Sequence, residues 1–385
     1  MRLVLNLEGY NFENAKIIRG GGFYLEKLIQ QIECAKFQII INVYTFKNDE
    51  SGQAILKKLI QAVERGVCVH LLLDSIGSWD IEDATITEIK KAGIQLSFFN
   101  PLFSSFSVPL GRRLHQKIFI FDQYRAFIGG INISDEYLQH RNEPVWLDYV
   151  IYLRGEIVSQ IALNAIRYHE KRVVEIEVRQ NQLEVIGKAN VYMQDFWKGQ
   201  FGISHLYSSQ IKSAQKSIII MNAYFFPGRK FLKTLKRKAR EGVEVKLVLG
   251  KISDVPLVKW STNCLYEDLL SAGVKIYEWQ SSVLHAKIAL IDSSWCTIGS
   301  YNIDYVSTMS NVEMNITSRE PFIVNQMLSE VNNVFEQELE EVKLTHWKNN
   351  RSVFHVLRDL VAFGVFTCIQ MITLNRAFFR NIEHD

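Results

Sequence analysis

Two stretches of the chain, LHQKIFIFDQYRAFIGGIN (Leu114 to Asn132) and LHAKIALIDSSWCTIGSYN (Leu284 to Asn302), spell His-x-Lys-x4-Asp-x6-Gly-(Gly/Ser)-x-Asn twice. Histidine is the side chain that changes charge near neutral pH, and lysine brings a fixed positive donor. Brought together about a pseudo-twofold axis, the two copies make one site with two His, two Lys and two Asn. That site has no obvious carboxylate cluster for a metal. Such a set suits a phosphodiester. One imidazole attacks phosphorus and gives a phosphohistidine while the other protonates the leaving alkoxide. Lys117, Lys287, Asn132, Asn302 and Ser300 are the expected phosphate ligands. The second imidazole, then basic, activates an incoming alcohol or water. One half supplies a nucleophile and the other an acid, so a duplicated motif makes chemical sense.

The elements that must position these groups recur in the same order. AKFQIIINVYTF answers to AQKSIIIMNAYFF, ERGVCVHLLLD to REGVEVKLVLG, and KKAGIQLSFF to LSAGVKIYEW, each pair followed by its His-x-Lys stretch. Repeated blocks in fixed order mark an internal duplication. Each half reads as a helix, a buried strand, a second helix closed by Gly66 or Gly242, then strands and the motif. Strands alternating with helices predict an α/β fold with a largely parallel or mixed sheet covered on both faces. Both motifs are placed on strands, where residues i and i+2 face the same way. His115 then projects with Lys117, and His285 with Lys287. Asp122 and Asp292 have the opposite parity and precede turn-like segments, so they are expected to hold the strand end rather than touch substrate. Downstream, Asp148 in WLDYVIYL and Glu313 in SNVEMNI are buried-strand acids suited to hold the second nitrogen of each imidazole.

The bulk composition fits. The chain has 385 residues, 48% hydrophobic and 22% charged, with a formal net charge of +3. That is globular, and too weakly basic for a dedicated nucleic-acid binder. Cys34, Cys68, Cys264, Cys296 and Cys368 are scattered and odd in number, which predicts buried thiols in a reducing compartment rather than disulfides or a zinc site. No signal peptide is read at the amino terminus. The longest uncharged apolar run, Leu360 to Leu374, is short of the ~20 residues of a spanning helix. The expected division is residues 1–190, residues 191–342 and a tail of residues 343–385.

The paired motifs, with GGINISDEY (Gly129 to Tyr137), GSYNID (Gly299 to Asp304), Ser307, Asn311 and Glu313, resemble the phospholipase D superfamily and its bacterial cardiolipin synthase branch. The resemblance covers almost the whole chain. It implies two tandem phospholipase D-like α-β-α sandwich domains with pseudo-twofold symmetry and one shared active site. It implies that His115, Lys117, Asp122, His285, Lys287 and Asp292 form the catalytic motif, with His115 the nucleophile and His285 the general acid and base. It also implies crossed support, Glu313 orienting His115 and Asp148 orienting His285. The reaction implied joins two phosphatidylglycerol molecules into cardiolipin and releases glycerol, without a metal or other cofactor. The alternatives are a phospholipase D that hydrolyses lipids or exchanges other head groups, and a nuclease of the same superfamily. Two departures stand out: Val306 occupies a position where relatives often carry Arg, and the two leading transmembrane helices of longer synthases are not found.

The expected partners are an anionic phospholipid and a membrane surface, with no nucleic acid, and the expected location is peripheral on the cytoplasmic side of a bacterial membrane. Three segments are candidates for meeting lipid: the Phe-rich flap Leu96 to Arg113, the basic helix Gly228 to Gly242, and the tail, whose apolar run is flanked by Lys348, Arg351, Arg358, Arg376 and Arg380. The tail is expected to be an in-plane or shallowly inserted anchor. Its removal after Lys343 should move the protein from the membrane to the soluble fraction.

Overall fold

The computed structural model describes residues 9–101, 111–139, 144–169, 184–337 and 339–382, with side chains of the last helix described to Met371. Much of the Phe-rich flap therefore lies outside the described residues. Two sheets organise the chain. The first has seven strands in the order Asn14–Arg19, Tyr149–Arg154, Arg125–Gly129, Ile118–Phe121, Gln38–Val43, Cys68–Asp74, Gln95–Phe99. The last three run parallel and the others pair antiparallel. The second sheet repeats that order with Gly187–Asp195, Asn311–Ser318, Trp295–Gly299, Lys287–Ile291, Ser217–Asn222, Glu244–Gly250 and Lys275–Trp279. The repeated sequence blocks thus occupy the same places in both sheets.

Local chemistry explains the elements. Gln38–Val43 is buried at every position, as a strand covered on both faces must be. The helix Glu50–Glu64 starts where Asp49 accepts a hydrogen bond from the Gly52 amide, and buries Ile55, Leu56, Leu59 and Ala62 along one stripe. It is followed by Gly66 at φ 87°, a left-handed turn that favours glycine. Among the described residues the three large apolar clusters follow from this, with a small fourth around Phe226, Val258 and Phe366. One lies outside each sheet, and the largest lies between them. There Ile128 and Ile151 of the first sheet share a core with Ile298 and Met314 of the second, joined by the helices Ile157–Ala165 and Pro321–Gln337. Burial at this seam fixes one half against the other.

The halves interleave more than the expected division allows. A boundary at 190/191 would cut the strand Gly187–Asp195. Tyr10–Phe12 pairs antiparallel with that strand, so residues near the amino terminus extend the second sheet. Arg113–Leu114 pairs with Asn311–Val312, a first-half segment laid along a second-half strand. At the far edge Leu339–Val342 adds to Lys275–Trp279. The thiol expectation also needs correction. The five cysteines are free, but Cys34 and Cys368 are exposed and only Cys296 is fully buried.

Candidate active site

Each motif histidine is delivered across the seam. The His115 amide donates to the Val312 carbonyl at 3.0 Å, and the His285 amide donates to the Leu147 carbonyl at 2.8 Å. The two contacts are pseudo-symmetric, each motif borrowing backbone from the other half. This corrects the strand expectation. The regular first-sheet strand begins only at Ile118, because the His115 amide bonds outside that sheet. In the second half the strand begins at Lys287.

The side chains cross the seam in the same way. His115 Nδ1 lies 3.0 Å from Glu313 Oε2, and His285 Nδ1 lies 2.6 Å from Asp148 Oδ2. Asp148 and Glu313 are buried, at 1% and 0% exposure. Glu313 is itself held by the Ser300 hydroxyl and by Asn311 Nδ2 at 3.0 Å. Asp148 accepts from the Tyr149 amide at 2.7 Å. At His285 the Lys287 ammonium also approaches Nδ1, at 2.7 Å. One ring nitrogen cannot donate to the carboxylate and accept from the ammonium together. We assign the Nδ1 proton to Asp148, the acceptor that serves both the neutral and the charged ring. Both carboxylates then leave Nε2 as the reactive nitrogen.

Lys117 and Lys287 are 1% exposed, and each ammonium donates to the backbone carbonyl of its own motif histidine. Burial pushes Lys117 down to about 7, with the Glu313 carboxylate opposing. Burial also lowers Lys287, opposed by Asp148. His115 is lowered by burial and by the Lys117 charge, against the upward pull of Glu313. His285 lies well below the usual imidazole range, through burial and then the charges of Lys287, Lys117 and His115. Burial raises Asp148 to about 7, with Lys287 opposing. The common cause is desolvation of a crowded pocket in which two lysines and two histidines are buried with two carboxylates.

The expected phosphate ligands separate. The Ser300 hydroxyl is spent on Glu313, so its proton is not free for a phosphate oxygen. Asn132 accepts from the Thr45 amide at 3.1 Å and donates to the Tyr137 hydroxyl at 3.1 Å, which makes it a brace. Asn302 keeps a buried Oδ1 without a hydrogen-bond partner. A side-chain carbon at Gly130 would sit 2.2 Å from Asp148 Oδ2, so glycine is needed there for the carboxylate to reach His285. Ser300 fills the matching place in the other half.

Asp122 and Asp292 sit at the far end of their strands from the motif lysines. Asp122 accepts from the amides of Lys36, Phe37 and Gln38 and from Arg125 at 2.9 Å. Asp292 accepts from the amides of Gln215, Lys216 and Ser217. Those three donors outweigh burial and lower its pKa. Each Asp also opens a hairpin turn with two left-handed residues, Asp122–Gln123 and Asp292–Ser293, all at φ of 50° to 53°. They fix the strand and do not reach the reacting atoms.

An aromatic wall was missed. Tyr44 packs edge-on to His115 at 5.2 Å, and Tyr224 to His285 at 6.2 Å. Tyr137 places its hydroxyl 3.3 Å from His285 Nε2, and Trp146 lies 5.8 Å from the same ring. The signal for the first pair was present, since Tyr44 and Tyr224 hold the same place in the repeated blocks INVYTF and IMNAYFF.

A family model described as cardiolipin synthase, PLD-like domain matches residues 28–163 and again residues 207–339. Cardiolipin synthase B of Escherichia coli (strain K12) is 30% identical over 370 residues, covering 90% of this chain and 88% of that protein. A cardiolipin synthase of Geobacillus sp. (strain WCH70) is 31% identical over 312 residues, 78% of this chain and 62% of the relative. Among solved structures, phosphatidylserine synthase of Haemophilus influenzae Rd KW20 has a TM-score of 0.75 at 14% identity, with 97% of each chain covered. That likeness bears on the fold.

Proposed function

We propose that this chain, a phosphatidyltransferase that belongs to the cardiolipin synthase family of phospholipase D-like proteins, joins two phosphatidylglycerol molecules into cardiolipin and releases glycerol. The observation that carries the reading is the pair of crossed imidazole–carboxylate contacts, His115 with Glu313 and His285 with Asp148, beside two buried lysines.

Charge balance gives the order of events. With both rings neutral, two ammoniums offset two carboxylates. A phosphodiester adds one negative charge, which one imidazolium cancels. Substrate binding therefore draws a proton onto His285, whose free-site value is low because of burial and cationic neighbours. His115, oriented by Glu313, attacks phosphorus through Nε2. The bond from phosphorus to the glycerol head group breaks, and the His285 proton passes to the leaving glycerol oxygen. The phosphatidyl group then rests on His115. A hydroxyl of the second phosphatidylglycerol gives its proton to His285 and attacks phosphorus, the nitrogen–phosphorus bond breaks, and cardiolipin leaves. Lys117 and Lys287 stabilise the non-bridging oxygens throughout. The choice of His115 as nucleophile comes from the family resemblance. Its slightly greater exposure, 8% against 3% for His285, is in keeping with it.

The test is to incubate purified protein with labelled phosphatidylglycerol vesicles, and separately with single-stranded DNA, beside His115→Ala. Cardiolipin with equimolar glycerol, absent in the variant, supports the reading. Phosphatidic acid alone makes the enzyme a hydrolase, and DNA cleavage makes it a nuclease; either result overturns it.

A further inference from the structure

The C-terminal helix Val353–Ile382, whose side chains are described to Met371, is apolar on the face it turns outward. Its inward face mixes the apolar Ala362 and Phe366 with polar groups. Asp359, 1% exposed, accepts from Arg351 at 2.6 Å, Arg358 at 2.7 Å and Asn263 at 3.2 Å, and Gln370 is also buried. Its outward face is apolar. Phe354, Leu357, Leu360, Val361, Val365 and Met371 are 45% to 74% exposed. None of the exposed positions from Val353 to Met371 is Asp, Glu, Lys or Arg, and His355 is the one strongly polar side chain among them. A helix packed on a soluble protein normally has the opposite arrangement. The outer solvent for which this face is built is apolar.

Its place in the fold narrows the occupant. Phe363 and Phe366 pack on Phe226 with ring centroids 5.2 and 5.1 Å away. Phe226 lies two residues beyond Tyr224, the ring packed against His285, so the helix flanks the catalytic mouth. Arg229 and Lys230, both exposed, follow Phe226 at the start of the basic helix Arg229–Arg240. In the first half, Trp79 is 78% exposed, next to Ser78, whose hydroxyl donates to the carbonyl of Tyr44.

We propose that this outward face lies in the plane of an anionic lipid bilayer, with Arg229 and Lys230 at the head groups, and sets the catalytic mouth against the surface. This rests on the lipid reading above and adds how the lipid is met. Val353–Met371 is long and apolar enough to span a membrane. Spanning would strip Asp359 and its arginines from their site on the domain and carry them into hydrocarbon, a large penalty. Lying in plane keeps that cluster docked and wets only the apolar face with lipid.

Co-sedimentation of the full chain with vesicles of mixed phosphatidylglycerol and phosphatidylcholine tests the proposal. The variants are Leu357→Asp with Val361→Glu, Phe354→Ser with Val365→Ser, Arg229→Ala with Lys230→Ala, and His115→Ala. Wild type and His115→Ala should sediment alike. The charged pair should lower partitioning at least about tenfold and the serine pair less. The alanine pair should weaken binding only where phosphatidylglycerol is present. Unaltered thermal melting by circular dichroism establishes that the outward variants are folded. Wild-type sedimentation by both apolar-face variants would overturn the proposal. So would light scattering that shows a dimer dissociated by the charged pair while vesicle binding persists. Sedimentation of wild type that is lost in the apolar-face variants, with no cardiolipin formed by wild type, would leave docking standing and remove the reaction assigned above.

Discussion

The two halves of the active site are built to one plan and finished differently. In the first half, Gly130 makes room for Asp148, which turns toward His285. In the second, Ser300 takes the matching position and donates to Glu313, which turns toward His115. His115 thus has a carboxylate held by two side-chain donors, Ser300 and Asn311. His285 has a carboxylate with a backbone donor and a lysine close by, and a tyrosine hydroxyl at its outer nitrogen. A nucleophile benefits from a fixed orientation, and a proton carrier from neighbours that let its charge vary. Under the proposed mechanism, the different supports suit one histidine to attack and the other to carry the proton.

The largest effects break the pair outright. His115→Ala and His285→Ala should each lower transfer by roughly 10⁴-fold or more, since groups acting as a unit fail together. A donor with a p-nitrophenol leaving group separates them, because it needs no acid. Release of p-nitrophenol should persist in His285→Ala and vanish in His115→Ala. Equal loss in both would end the division of roles.

The next effects disturb the supports. Glu313→Gln and Asp148→Asn should each cost about 10²–10⁴-fold in kcat, as loss of an orienting carboxylate does. Gly130→Ser copies the other half's residue and should still cost about tenfold or more, because its side chain meets the Asp148 carboxylate. Ser300→Ala deletes one donor and should cost less than Gly130→Ser. The reverse order, measured by initial rates, would contradict the distinction between the two supports.

A pH profile sharpens the comparison further. His115 must be neutral to attack, and its free-enzyme value lies below the ordinary 6.5, through burial and the Lys117 charge. The acidic limb of kcat/KM should therefore fall below pH 6.5. Lys117→Met removes a repelling charge, raises the His115 value and should move that limb to higher pH while activity drops. The smallest effect on rate belongs to Asp122→Asn and Asp292→Asn. Each weakens hydrogen bonds to three backbone amides, so stability should fall by about 1–3 kcal/mol with kcat changed only a few-fold.

These outcomes also mark what the sequence made legible. The paired motifs and repeated blocks gave the duplicated α/β plan and gathered the two His and two Lys. The parity of Asp122 and Asp292 placed them away from phosphate, where they bond backbone. Three things were not readable. The pairing of Tyr10–Phe12 with Gly187–Ala189 joins segments far apart in sequence, which local pattern does not encode. Ser300 has the chemistry of a phosphate ligand, and only the proximity of Glu313 diverts it. The tail reads as apolar either way, and its buried polar cluster emerges only when the helix Pro256–Ser271 supplies Asn263 for Asp359.

The central claim, one nucleophile and one acid drawn from equivalent motifs, is tested most directly by trapping the covalent intermediate. Acid-sensitive adducts should be sought by rapid quench and peptide mass spectrometry after mixing enzyme with the p-nitrophenyl donor. The account predicts a phosphatidyl group on the peptide containing His115, accumulating in His285→Ala and absent from His115→Ala. An adduct on His285, or a rapid product burst with no adduct on either peptide, would contradict it.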